Sequence, residues 1–169
     1  MTDATPPDAN RDPERIEGRV AFAAAALELA SQAQTALRLL SFDFDRAIYG
    51  DEAFVDQIKR LALSSERARI KVLINQPKAA MRGAHRFVEL GRRLPSRIEF
   101  RELSEEQLVS ERGDWLIADQ RGLLERQDPA ALAARLHREA PLEARAKAQR
   151  FDELWEQSIG CSEFRSLGL

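Results

Sequence analysis

"RGDWLIADQRGLLER", residues 112–126, decides how the chain is read. An apolar run, Trp115–Ala118, lies between Asp114 and Asp119, and a second run, "GLLER", follows a break at Gln120 to Gly122. Short runs on either side of a tight turn read as two strands of a sheet. Residues two apart on a strand point to the same side. Arg112 and Asp114 therefore share a side, and their opposite charges are expected to pair.

Upstream the chain alternates. "ALRLLSFDF" (36–44) reads as a short buried strand, and "RIKVLIN" (69–75) is apolar on both faces, as an interior parallel strand is. "RIEFREL" (97–103) alternates Ile98 and Phe100 with charges, which suits a half-covered strand. Helical segments lie between them. "GRVAFAAAALELASQAQ" (18–34) is rich in Ala and Leu. "GDEAFVDQIKRLALSS" (50–65) spaces Phe54, Val55, Ile58, Leu61 and Ala62 helically, with Asp51 as its cap. "PKAAMRGAHRFVELGRRL" (77–94) reads as one helix burying Ala84, Phe87, Val88 and Leu90, which makes His85 a partly exposed helical histidine. Downstream, "DPAALAARLHRE" (128–139), which holds His137, and "PLEARAKAQRFDELWEQS" (141–158) read as helices started by proline. Leu142, Phe151, Leu154 and Trp155 are expected to share a face of the second. This order predicts an α/β fold: a mixed, mostly parallel sheet flanked by helices on both faces. Residues 1–15 read as a disordered tail, 16–160 as the domain and 161–169 as a C-terminal tail.

The bulk numbers narrow the function. With 169 residues, 44% hydrophobic and 32% charged, the chain is long enough for one well-packed core. A formal net charge of -2 gives no global pull toward nucleic acid or membrane. Cys161 is the one cysteine, so no disulfide framework exists, and with His85 and His137 it offers no zinc-ligand spacing. The N-terminus lacks the pattern of a signal peptide. "VAFAAAALELA" is too short to span a bilayer and contains Glu28. A cytoplasmic protein with no cofactor, no metal and no membrane is expected.

The frame of residues 112–119 resembles the H-x-K-x-x-x-x-D motif of the phospholipase D superfamily. Arg112 stands in the histidine position, Asp114 in the lysine position and Asp119 in the aspartate position. "RFDELW" (150–155) is similar to that family's closing helix. The resemblance covers most of residues 17–158 and implies one half-domain of that fold. In the family two such motifs meet, from two halves of one chain or from two subunits. One histidine attacks phosphorus, the other protonates the leaving group, and the lysines hold the phosphoryl oxygens. Here Arg112 cannot act as nucleophile or general acid, and Asp114 reverses the sign of the charge meant for the phosphate. The family's Gly-Ser-x-Asn segment is replaced by "RQDPAA". The resemblance therefore implies a catalytically inactive member that binds or interacts, with vestigial positions Arg112, Asp114 and Asp119. It implies a homodimer, and a protein partner such as an acetyltransferase-like domain, with which similar domains are associated.

Two other readings stay open. Residues 78–101 are locally basic, and Arg82, Arg86, Arg92 and Arg93 are candidates to bind an anion such as the nucleic-acid backbone, although the overall charge argues against nucleic acid. Asp43 and Asp45 follow a strand's C-terminal end on one side of the chain, where α/β proteins build sites; they are candidates for a hydrolase outside the family mechanism.

Overall fold

The computed structural model describes residues 12–80, 82, 84–131, 133–161 and 164. Its elements run β1 (Glu14–Glu17), α1 (Arg19–Gln32), β2 (Ala36–Ser41), α2 (Arg46–Tyr49), α3 (Glu52–Ser64), β3 (Arg69–Ile74), α4 (Pro77–Ala80), α5 (Arg86–Arg93), β4 (Ile98–Glu102), α6 (Glu105–Leu108), β5 (Asp114–Ala118), β6 (Gly122–Arg126), β7 (Ala133–His137), α7 (Pro141–Gln157) and β8 (Ile159–Gly160). The strands form one open sheet in the order β1-β7-β6-β5-β2-β3-β4-β8.

β2, β3 and β4 run parallel at the centre. The pairs on either side are antiparallel. The α/β class, the mixed sheet and its parallel centre are as expected, and the antiparallel share is larger. One reason is β7. Its sequence is Ala-rich, and helix was expected over 128–139. Propensity is a weak prior. The chain instead gains ladder hydrogen bonds to β6 and β1 and buries Ala134 and Leu136. His137 consequently lies on a strand.

β2, β3 and β5 bury apolar residues on both faces because helices cover both. Leu37, Leu39, Ile70, Val72, Ile74, Leu116 and Ala118 face the core under α1, α3 and α5. Leu40, Leu73, Trp115, Ile117 and Leu123 face the core under α7, with Phe151, Leu154 and Trp155. Arg38 clamps α7 to the sheet by donating from Nε to Asp152 at 2.9 Å. Leu142 is exposed and shares no buried face with the other three. Asp51 caps α3 as expected, accepting from Ala53 N–H at 3.1 Å.

The helix expected over 77–94 is two helices. His85 has extended backbone before α5, and its ring is buried while Ala84 is exposed. The ring stacks on Phe44 with centroids 4.3 Å apart. The ordered fold extends past 16–160 at both ends. Residues 1–11 of the expected tail lie outside the described residues, but Glu14 and Arg15 belong to β1. Cys161 and Phe164 are buried, and Phe164 packs edge-on against Phe100 at 5.1 Å.

Candidate functional site

β2 is where the sheet changes sense: its neighbour is parallel β3 on one side and antiparallel β5 on the other. Such a junction opens a crevice beyond the carboxyl ends of the parallel strands. The start of β5 and the end of β6 meet there, and Asp114 sits directly across the ladder from Arg126.

Asp114 is fully buried. Its Oδ1 accepts from the Phe42 N–H at 3.0 Å, and its Oδ2 accepts from Arg126 Nε at 2.9 Å. The second guanidinium nitrogen of Arg126 donates to the same oxygen. The Arg126 guanidinium also lies 4.6 Å from the Phe22 ring centroid on α1. Gly113 is required by this closeness: a Cβ there would stand 2.4 Å from the Arg126 carbonyl oxygen. The expected Arg112–Asp114 pair is thus replaced by Arg126–Asp114. Arg112 is exposed and rests over the Phe42 ring at 5.1 Å. The reason is register: side chains opposite each other on paired strands are closer than those two apart on one strand.

Asp119 lies at the other end of β5. Its φ of 55 and that of Gln120 at 58 form the hairpin turn, one residue earlier than the expected break. Its carboxylate accepts from the N–H groups of Gln34, Thr35 and Ala36 and from the Thr35 hydroxyl, at 2.7 to 2.9 Å. Burial alone would raise this carboxyl. The hydrogen bonds outweigh it and hold the group below the usual carboxylate value. Asp119 ties the hairpin to the start of β2, well apart from Asp114.

Asp43 is half-buried beside the crevice. Burial first, then the charges of Asp114 and Asp45, push its carboxyl up. Asp45 is engaged elsewhere: it caps α2 through the Ala47 N–H at 2.9 Å and pairs with Arg19. The structure therefore leaves no free Asp43–Asp45 carboxylate pair. Among the described residues no cluster of three or more His, Cys, Asp or Glu is placed to hold a metal ion. The loop carrying both aspartates is held from beneath. Phe44 has a φ of 50, Ser41 Oγ accepts from its N–H at 3.0 Å, and His85 Nε2 donates to its carbonyl at 3.2 Å. Nδ1 of His85 is buried and has no hydrogen-bond partner among the described residues. Burial lowers His85 to about 4, so the ring is neutral.

The basic candidates do not converge. Arg86 faces Glu52 at 3.7 Å, and Arg92 donates to Glu89 at 2.6 Å and to the Phe164 carbonyl at 3.3 Å. Arg82 and Arg93 are exposed. Sequence reasoning missed Arg126. Counting outward from the turn would have found it, since the hairpin sets Asp114 opposite that residue.

A family model described as a domain of unknown function (DUF7931) matches residues 18–167. No curated protein matches the chain. Among solved structures, Nuc from Salmonella typhimurium, a phospholipase D family member, superposes with a TM-score of 0.60 at 17% identity, covering 89% of this chain and 99% of that one. NucT from Helicobacter pylori gives 0.61 at 9% identity over 88% and 98%. The archaeal chromatin protein TrmBL2, described as showing a novel mode of DNA binding, gives 0.66 at 14% identity; 89% of this chain is covered and 54% of that one, so the chain spans about half its length. At these identities the likeness establishes the fold, which is phospholipase D-like. No helix among the described residues is long and apolar enough to cross a membrane.

Proposed function

We propose that this chain, which belongs to the family of domains of unknown function DUF7931, is a phospholipase D-like module without phosphodiesterase activity that acts by binding. One observation carries the reading: the position where a lysine would meet phosphate holds a buried carboxylate locked to Arg126. Phosphoryl transfer needs positive charge aimed at the equatorial oxygens and a titratable nucleophile or acid. Asp114 supplies the wrong sign. Arg126 carries the right sign, but its guanidinium is spent on Asp114 and on the Phe22 ring. Arg112 is neither a nucleophile nor a general acid.

The test is hydrolysis of bis(p-nitrophenyl) phosphate and of single-stranded DNA by the full chain. The expected result is no turnover above buffer. Turnover that survives repurification and is removed by Arg112→Ala or Asp114→Asn would overturn the reading.

A further inference from the structure

Glu125 and Arg126 are neighbours on β6, so their side chains leave the sheet on opposite faces. Arg126 enters the crevice. Glu125 lies on the other face, at the wall of a groove of about 410 Å³ toward the β1 edge. α7 covers this face over β2, β5 and β6. Lys147 of α7 marks its border, lying 4.2 Å from the Trp115 ring and 3.4 Å from Glu125. Beyond that border Ala131 and Ala133 leave the groove open.

Three charged residues stand in a row across the strands. Glu125 is opposite Arg135, and Arg135 is opposite Arg15. Like charges directly opposite each other are destabilising, and an anion bound between them would offset that cost. The acids nearby are already engaged. Glu125 is held by Lys147 at 3.4 Å and faces His137 at 3.6 Å, Arg15 shares Glu17 at 2.7 Å, and Asp128 caps the Ala130 N–H at 2.9 Å. Arg135 lines the groove and has no ion-pair or hydrogen-bond partner among the described residues.

We propose that this groove is a binding site for an oxyanion, a phosphoryl or carboxylate group on a small molecule, bridged by Arg15 and Arg135. Two arginines opposite each other in register, at a groove lined by Ala131, Ala133 and Ala134, suit forked recognition of such a group. The site is on the other face from the crevice and stands whether or not the crevice is inert.

The experiment is titration calorimetry at low salt, with inorganic phosphate and with acetate as probes. Saturable binding of at least one is expected, weakened about tenfold by Arg135→Gln and by Arg15→Gln. Both arginines are exposed, so the variants keep the fold, as circular dichroism will check. Arg67→Gln, in the turn before β3, leaves binding unchanged. Preference for phosphate or for acetate identifies the group. No saturable binding of either probe by the wild-type chain, or binding that Arg135→Gln leaves intact, overturns the proposal.

Discussion

Asp114 and Arg126 face each other across the β5–β6 ladder and form an ion pair beneath α1, with the carboxylate wholly shielded from solvent and the Arg126 side chain 13% exposed. A buried pair of this kind is weak evidence of net stability, but breaking it leaves a charge with no counterpart. Arg126→Ala is expected to cost about 3–5 kcal/mol. The double variant Asp114→Ala with Arg126→Ala should cost less than the two single changes summed. Urea denaturation of the four proteins measures the coupling. Additive losses would show that the two side chains do not act as a pair.

The same pair governs attempts to restore the family chemistry. Asp114→Lys alone sets two cations against each other in the interior, and the chain is expected to lose most of its stability. Adding Arg126→Glu restores an ion pair of reversed sense and should recover a cooperative transition. If Asp114→Lys alone melts like the parent, the crevice is wetter than the geometry implies.

Asp119 makes a different prediction. Its lowered carboxyl contributes stability that is present above the unfolded-state value of 3.8 and is lost as pH falls through the folded-state value. Asp119→Ala should cost about 2 kcal/mol at neutral pH, since three backbone N–H groups lose their acceptor. The gap between variant and parent should close as the solution is acidified below the carboxylate range. A gap constant with pH would assign the loss to the turn backbone instead.

His85 works in the opposite chemical sense but the same pH direction. The buried ring prefers to be neutral, and its folded value of about 4 lies below the unfolded 6.5. The unfolded chain binds the proton first, so stability is lost as pH falls from 6.5 toward 4 and the loss ends below that. The magnitude is about 3 kcal/mol. His85→Leu is expected to be less stable at neutral pH, because the Phe44 carbonyl loses its donor. Its stability should also fall less steeply over that window. Parallel pH profiles for the two proteins would refute the assignment.

Phe164 tests the edge of the domain. It is 5% exposed and touches Phe44 and Phe100. Phe164→Ala should cost about 3–5 kcal/mol by thermal or urea unfolding, as large-to-small changes in a core do. A loss under 1 kcal/mol would return these residues to the tail that composition alone suggested.

Local chemistry wrote much of this fold into the chain. The two-sided apolar runs of β2 and β3, the Asp51 cap of α3 and the β5–β6 hairpin are each carried by contiguous residues. Such features depend on period, caps and turns, which a few neighbours settle. Ala133–His137 shows the limit. Its alanines favour helix slightly, and the vacancy between β6 and β1, built by distant residues, made it a strand. His85 shows it again, because the aromatic ring that buries it lies 41 residues earlier.

The candidate site divides the same way. That Arg112 and Asp114 are the wrong residues for phosphate chemistry follows from their side chains alone, whatever the fold. Which cation neutralises Asp114, and that Asp45 is spent on Arg19 and its own helix while Asp119 staples a strand, were decided by the tertiary structure. So was the facing of Arg15 and Arg135, which are 120 positions apart in the chain. A side chain's charge is a property of its residue. Its partner is a property of the strand register and burial that bring distant segments together.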